Sequence, residues 1–144
     1  MKSKLFIYTD GGARGNPGPA AIGVVIQETS DKRQETSRRY GEAIGNATNN
    51  VAEYKAVIFG LKKAKSLLGG KKAEEAEIEV RADSELIVSQ LNGKYKIKEE
   101  SLKSLFIDVW NLKQDFKSVS FIHIPREKNR EADILVNQAL DTLL

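Results

Sequence analysis

Residues 6–20 read FIYTDGGARGNPGPA, and this stretch changes character halfway along. Its first half is rich in β-formers, which predicts a strand over Lys4–Thr9. Its second half holds four glycines and two prolines, which is typical of a long turn. Asp10 lies between the halves, so the sequence predicts a carboxylate at the end of the first strand.

The patterning on either side of this stretch predicts an α/β fold. Further strands are predicted over Ala20–Glu28 and Gln34–Glu42, and short connections favour an antiparallel meander with the first. Beyond residue 50, predicted helices alternate with predicted strands, which implies parallel pairing through right-handed crossovers. The helices are predicted over Asn50–Leu68, Ser84–Leu91, Glu99–Phe116 and Arg126–Leu143, and the strands over Glu77–Ala82 and Ser118–Ile124.

The order β-β-β-α-β-α-α-β-α therefore predicts a mixed five-stranded sheet, with three antiparallel strands, then two parallel crossover strands, and helices on both faces. Residues 67–77, LLGGKKAEEAE, are interpreted as a loop, and Ser84 is predicted to cap the helix that follows it. No repeat or linker divides the chain, so we expect a single domain over residues 1–144.

Composition limits the possible classes of protein. The 144 residues are 40% hydrophobic, enough for a core, and contain no cysteine, which excludes disulfides and thiolate metal sites. No apolar run approaches the roughly 18 residues of a membrane span, and the first apolar stretch is too short for a signal peptide, so a cytoplasmic protein is expected. A net charge of +3 is compatible with a nucleic-acid partner without requiring one.

Four acids lie where surface charges are uncommon. Asp10 and Asp83 end predicted strands, whereas Glu53 and Asp133 lie early in predicted helices. Each has a local explanation: Asp10 as a turn former, Glu53 in a capping box with Asn50, Asp83 as a helix cap, and Asp133 as a partner of the helix dipole. Taken singly, these local explanations are favoured.

Taken together, the four acids indicate a metal site. The ends of the first and fourth strands are neighbours if the strands pair in parallel, and ligands bind at such strand ends. Helices docked on the sheet would bring Glu53 and Asp133 to the same edge. Four carboxylates repel one another without cations, and oxygen ligands favour Mg²⁺ or Mn²⁺. Two metals roughly 3.5–4 Å apart support in-line attack on a phosphodiester.

Four segments resemble, in order, the motifs of type 1 ribonuclease H. They are IYTDGGARGNPGPAAIG (7–23), ATNNVAEYKAVIFGL (47–61), RADSELIVSQLNGKYK (81–96) and REKNREADILVNQAL (126–140). The resemblance runs from about Lys4 to Leu143. It implies the ribonuclease H-like fold and endonucleolytic cleavage of the RNA strand of an RNA–DNA hybrid, leaving 5′-phosphate and 3′-hydroxyl ends.

The resemblance carries the catalytic and metal-binding acids onto Asp10, Glu53, Asp83 and Asp133, with two Mg²⁺ ions and Mn²⁺ as a substitute. Asp10 would bridge the metals, Glu53 and Asp83 would share the ion at the leaving 3′ oxygen, and Asp133 would help hold the ion that activates water. The predicted substrate contacts are Gly11, Gly12, Gly15, Asn16, Thr48, Asn49, Asn50, Ser84, Glu85 and Arg126.

These contacts have distinct expected roles. The glycine backbone would approach the RNA strand closely, and the asparagine amides offer donors and acceptors to the minor groove. Thr48 resembles a threonine that holds a DNA-strand phosphate, although helix capping also explains the TNN segment. Glu85 replaces a glutamine of some members; an ionised glutamate accepts a 2′-hydroxyl proton but donates to no base edge.

Two further departures from the family concern loops. Many bacterial members carry a loop histidine, but the one histidine here, His123, falls in a predicted strand and is interpreted as structural. Arg126 is its nearby substitute, unless it is a solvated loop arginine. The short segment LNGKYKIKEESL (91–102) stands where some members have a long basic protrusion; its lysines meet phosphates or simply form surface.

The leading interpretation is a monomeric, metal-dependent ribonuclease with an RNA–DNA hybrid as partner, no separate hybrid-binding domain, and no obligatory protein partner. A non-catalytic nucleic-acid-binding module on the same fold is one alternative. Another nuclease of the superfamily, such as a resolvase or a 3′ exonuclease, is a second, and cleavage of RNA duplexes is left open by the departures.

Overall fold

The computed structural model describes residues 3–29 and 35–143, and its sheet has five strands in the order β3-β2-β1-β4-β5. β1 pairs with β2, and β2 with β3, in antiparallel fashion, whereas β1–β4 and β4–β5 are parallel. The predicted mixed sheet is therefore confirmed. The strands are β1 (Lys4–Ala13), β2 (Gly18–Thr29), β3 (Glu35–Ala47), β4 (Glu77–Ala82) and β5 (Ser118–His123).

Helices lie on both faces of the sheet, as predicted. They are α1 (Asn49–Leu68), α2 (Gly70–Glu75), α3 (Glu85–Leu91), α4 (Glu100–Lys113) and α5 (Arg130–Asp141). α1 packs so closely on one face that a Cβ on its Gly60 would lie 2.8 Å from Ile7 Cγ2. α5 packs on the opposite face, where its Val136 joins Ala21 in a second cluster. Among the described residues, no helix is long and apolar enough to cross a membrane.

Three strands are longer than predicted, and β2 extends to Gly18 and Thr29 beyond its predicted ends at Ala20 and Glu28. β1 continues past Thr9 to Ala13, because β2 still pairs with it after β4 has ended at Ala82. Asp10 therefore lies inside a strand, and the prediction that it ends the strand is wrong. β3 extends to Ala47, five residues beyond Glu42, while the predicted start at Gln34 lies outside the described residues.

Three predictions about the helices are also wrong. The predicted loop over residues 67–77 contains α2, which buries Ala73 against the core. The predicted helix over Arg126–Leu143 is interrupted: a 3₁₀ turn spans Arg126–Lys128, and α5 begins only at Arg130. Asn129 separates them with φ −117° and ψ 26°, and its side chain bonds to β1 instead of capping the helix. α4 is shorter than predicted, ending at Lys113.

A row of residues across the sheet positions α5. Asp10 pairs with Gly23, and Gly23 pairs with Gly41 on the next strand. A Cβ on Gly23 would overlap the carbonyl oxygen of Ala132, and one on Gly41 would lie 2.9 Å from that of Leu135. The backbone of α5 thus rests directly on the two glycines, and Asp133, which follows Ala132, is placed beside Asp10.

Candidate active site

Asp10 and Asp83 are brought together by parallel strand pairing. The last residue pair between β1 and β4 is Thr9 with Ala82, and the two acids are the next residues of each chain segment. Because the strands are parallel and in register, both acids emerge at the same edge of the sheet. The predicted convergence of Asp10 and Asp83 is confirmed, although Asp10 lies inside β1 and not at its end.

Glu53 reaches the same edge from α1. Its Oε1 accepts a hydrogen bond from the backbone N–H of Gly11 at 3.2 Å. This approach needs a glycine, because a Cβ at Gly11 would overlap the backbone carbonyl of Ala52. Gly11 therefore permits the close approach of α1, and the expectation that its backbone also contacts RNA stays a prediction.

The local explanation of Glu53 as part of a capping box is wrong. Thr48, not Asn50, is the N-cap of α1, and its hydroxyl accepts from the N–H of Val51 at 3.2 Å. Glu53 is the fifth residue of the helix, so its carboxylate is too far along the helix to serve the N-cap backbone. Its side chain bonds across to β1 instead.

The three carboxylates form a compact set. One ligand oxygen from each of Asp10, Glu53 and Asp83 lies within 4.8 Å of the others. Asp10 and Glu53 are each 8% exposed, and Glu53 Oε2 has no hydrogen-bond partner among the described residues. Buried carboxylate oxygens are rarely left without a partner. The unpartnered oxygen and the short separations therefore fit a divalent cation held by oxygen ligands.

Burial and mutual repulsion disfavour the ionised form of these carboxyl groups. Burial, followed by the charges of Asp83 and Asp133, raises the pKa of Asp10 to about 7, although a hydrogen bond with Glu53 acts in the opposite direction. Burial, and then the charge of Asp10, raises the pKa of Glu53 well above its usual range. Without a cation, the Asp10–Glu53 pair therefore retains protons close to neutral pH.

The acids open onto a cleft of about 460 Å³. Most of the predicted site residues line it, and Gly15, Asn16, Thr48 and Glu85 lie outside the lining. The predicted residues that line it are Asp10, Gly11, Gly12, Asn49, Asn50, Glu53, Asp83, Ser84, Arg126 and Asp133; Arg14 and Asn137 also line it but were not predicted.

Two of the predicted amides are oriented by bonds within the protein. Asn49 Oδ1 accepts from the N–H of Ala13 at 2.8 Å, and Asn16 Oδ1 accepts from the N–H of Asn49 at 2.9 Å. These bonds use the acceptor half of each amide. The Nδ2 group is therefore the part of each amide that remains to donate, and the predicted contacts of Asn16 and Asn49 with substrate stay predictions.

Similar proteins identify the family. Residues 8–139 match the family described as Reverse transcriptase-like. LC11-RNase H1 was isolated from compost by a metagenomic approach, and its sequence is 50% identical to that of this chain. The two structures align with a TM-score of 0.86, and the alignment covers 97% of each chain. A structure of LC11-RNase H1 in complex with RNA/DNA hybrid is 49% identical, with a TM-score of 0.86, and covers 96% of this chain and 98% of that one.

This chain belongs to the type 1 ribonuclease H family.

Two further relatives are longer proteins than this chain. Ribonuclease HI of Halobacterium salinarum is 37% identical over 96% of this chain and 65% of its own length. The bifunctional protein Rv2228c of Mycobacterium tuberculosis is 40% identical over 96% of this chain, which spans 36% of that protein. The chain therefore covers only part of these two relatives.

One residue of this ribonuclease H site was missed in the sequence analysis. Asn129 is 1% exposed, and its Nδ2 donates to the carbonyl of Thr9 at 2.8 Å and to Asp83 Oδ2 at 3.0 Å. It is the first residue of the sequence NREAD (129–133) and lies four residues before Asp133. That spacing was the available signal, but an asparagine there is also typical of a helix cap.

His123 is the last residue of β5, and its side chain is exposed. Its Nε2 lies 3.3 Å from the carbonyl oxygen of Asp83. The histidine therefore contacts the backbone of a site residue at the end of the strand. Its interpretation as structural, and that of Arg126 as a substitute for the loop histidine, stay predictions.

Proposed function

We propose that this chain is an endoribonuclease that hydrolyses the RNA strand of RNA–DNA hybrids, leaving 5′-phosphate and 3′-hydroxyl ends. The observation that carries the proposal is the set of carboxylates from β1, α1 and β4, whose oxygens lie within 4.8 Å of one another in an open cleft. Membership of the family, and the hybrid complex of the similar LC11-RNase H1, support the choice of substrate.

The proposed cofactor is Mg²⁺, two per site with substrate bound, and Mn²⁺ as a substitute. Asp10, Glu53, Asp83 and Asp133 would hold it. Bound there, the metal pair would activate a water and stabilise the leaving 3′ oxygen. The protein's part is to keep the carboxylates fixed: Asp10 by its pairing with Gly23 of β2, and Glu53 by the hydrogen bond that it accepts from the Gly11 N–H.

The substrate would be held by the groups around the acids. The amide donors of Asn16 and Asn49 suit base edges and sugar oxygens in a minor groove. Arg126 and the lysines of residues 91–102 supply positive charge for phosphates. Because this basic segment is short, binding is expected to be weaker and more sensitive to salt than in members with a long protrusion.

Other parts of the interpretation stay predictions: a monomer, a cytoplasmic location, a single catalytic domain over residues 1–144, and the absence of an obligatory protein partner. A non-catalytic binding module on the same fold is disfavoured, because such a module has no use for three carboxylates held close together at a cost in repulsion. Cleavage of RNA duplexes is tested by comparing matched RNA–DNA and RNA–RNA substrates.

The decisive experiment compares cleavage of matched RNA–DNA, RNA–RNA and DNA–DNA duplexes with Mg²⁺ or Mn²⁺. We expect cleavage of the hybrid, loss of activity in EDTA, and a fall in kcat on the order of 10³-fold in Asp10→Asn, since metal stabilisation of the transition state is worth several kcal/mol. Asp108→Asn, the same change at an exposed acid of α4, is the control and should retain activity. Hybrid cleavage that persists in EDTA or in Asp10→Asn would rule out the metal mechanism.

A further inference from the structure

Asn129 links two of the site's strands with one side-chain amide. It lies between the 3₁₀ turn and α5 and is buried against β1. Nδ2 donates both to the carbonyl of Thr9, the residue before Asp10, and to Oδ2 of Asp83. The same –NH₂ group therefore ties the carboxylate of Asp83 to the backbone that carries Asp10.

The orientation of this amide follows from its partners. With the amide flipped, Oδ1 would face a carbonyl oxygen and a carboxylate oxygen, and three acceptors would meet. In the observed orientation Oδ1 is buried and finds no partner in the described part of the chain. A buried acceptor without a hydrogen-bond partner is unfavourable, because it has lost its bonds to water. The Nδ2 group of Asn129 therefore donates to both Thr9 and Asp83 although Oδ1 is left without a partner among the described residues.

Asp83 needs such a partner more than the other two acids of the set do. Asp10 and Glu53 are buried, whereas Asp83 is partly exposed and follows the end of β4. A partly exposed carboxylate beyond a strand end has several rotamers available. The bond from Asn129 fixes one oxygen, Oδ2, and leaves Oδ1 as the freer oxygen for a ligand.

We propose that Asn129 is a positioning residue that holds the carboxylate of Asp83 in the orientation needed to bind a divalent cation together with Asp10 and Glu53. The proposal rests on the metal site of the proposed function. Asn129 does not line the cleft, so it acts through Asp83 and not by touching the substrate. Outer hydrogen bonds of this kind orient ligands at metal sites, and their loss typically weakens metal affinity about 10–100-fold.

The first test is calorimetric titration of the metal-free protein with Mg²⁺ and with Ca²⁺. We expect Asn129→Ala to weaken Mg²⁺ binding about 10–100-fold. The loss should be smaller for Ca²⁺, because Ca²⁺ accepts irregular geometry and Mg²⁺ does not. Asn129→Ser, which retains one O–H donor, should show an intermediate loss.

Gln90→Ala is the matched control. Gln90 is a buried amide, 5% exposed, that accepts from the Tyr54 hydroxyl at 2.9 Å, donates to the Lys96 carbonyl, and contacts no site carboxylate. Its loss should lower the unfolding temperature but leave Mg²⁺ affinity unchanged. Equal losses of Mg²⁺ affinity in Gln90→Ala and Asn129→Ala would overturn the proposal, as would unchanged affinity in Asn129→Ala.

A second test needs no variant. The wild-type protein is titrated with Mg²⁺ while ¹H–¹⁵N spectra are recorded. The side-chain amide signals of Asn129 should shift, with a midpoint at the same Mg²⁺ concentration as in calorimetry. The side-chain amide signals of Gln90 should not shift. Asn129 signals that stay fixed at saturating Mg²⁺ contradict the positioning role while leaving the proposed function intact. A wild-type protein that binds no Mg²⁺ would overturn the positioning role, and the hybrid cleavage assay decides the proposed function separately.

Discussion

At the residue scale, Gly11 has a structural task next to the acid that precedes it. Without a Cβ, it lets the backbone of α1 come close enough for Glu53 to accept a hydrogen bond from its N–H. Any side chain at this position would push the helix away from β1. The glycine after Asp10 therefore positions the second carboxylate of the set.

Glu99 is predicted to weaken substrate binding through its charge. Its Oε1 accepts from Asn50 Nδ2 at 3.0 Å, and Asn50 lines the cleft. A negative charge there repels a polyanionic substrate, and the repulsion is strongest at low salt. Glu99→Gln retains an acceptor oxygen and removes the charge. We expect a fall in KM for the hybrid of about two- to threefold at low salt, with kcat unchanged.

Glu100→Gln is the control for this prediction. Glu100 is the next residue, and its carboxylate pairs with Lys103 at 3.0 Å. Both substitutions change the net charge equally, but only Glu99 contacts Asn50. If KM falls equally in both variants, the effect comes from net charge alone and the specific role of Glu99 is wrong.

At the element scale, the position of α5 depends on close packing more than on ion pairs. Arg39–Glu131 and Arg14–Asp141 connect α5 to the sheet and the turn at 3.0 and 2.6 Å, but all four side chains are about half exposed. Exposed pairs of this kind contribute about 0–1 kcal/mol. Contact of the helix backbone with Gly23 and Gly41 therefore determines its depth on the sheet.

Gly23→Ala is predicted to displace α5. The new methyl group would overlap the carbonyl oxygen of Ala132, and backbone on both sides leaves little room to adjust. We expect a loss of about 1–3 kcal/mol in the free energy of unfolding. Because Asp133 moves with the helix, kcat should fall about tenfold or more, since small misplacements of positioned groups are costly.

Urea unfolding and hybrid cleavage measure the two effects. The control is Gly70→Ala, since a Cβ there meets nothing within 4 Å and the residue opens α2. It should leave stability and kcat close to wild type. Normal stability and normal kcat in Gly23→Ala would contradict the role of the glycine contact.

At the scale of the whole molecule, the carboxylate set lowers the stability of the metal-free protein. The pKa of Asp10 rises from 3.8 to about 7 on folding, mainly through burial. Between these values the folded state holds a proton that the unfolded state releases, so the free energy of unfolding falls as pH rises through this window. Above about pH 7 the whole penalty is present.

This linkage predicts the response of the protein to metal and pH. In EDTA, the Tm from calorimetry should be lower at about pH 8 than at about pH 5. Mg²⁺ at 100 times its Kd should add about 2.7 kcal/mol at the higher pH and much less at the lower, where protons compete for the ligands. Asp10→Asn should flatten the pH dependence and be more stable than wild type in EDTA at about pH 8.

Asp108→Asn serves again as the control, because its carboxylate is exposed on α4. It should follow the wild-type Tm at each pH. A wild-type Tm in EDTA that rises between about pH 5 and pH 8 would contradict the assigned burial of the Asp10–Glu53 pair.

The sequence by itself determined the mixed sheet, the order of the longer elements and the acids as candidate ligands, but it did not predict the short helix α2. Strand and helix periodicities are local properties, and the alternation of strands with helices implies parallel pairing. The sequence placed Asp10 and Asp83 side by side only on the condition that β1 and β4 pair in parallel, and the structure meets that condition. The four motifs that resemble type 1 ribonuclease H were also recognisable, because they are defined by residues and their order along the chain.

Only the tertiary structure decided how those acids are held. Asn129 bonds to a residue 120 positions away, Gly23 meets the backbone of a helix more than a hundred residues later, and Gly11 admits the backbone of α1. A glycine or an asparagine in a turn has the same local sequence pattern whether it caps a helix, bends the chain or packs against another segment. Its role depends on which backbone lies opposite, and that is fixed by packing between distant segments of the chain.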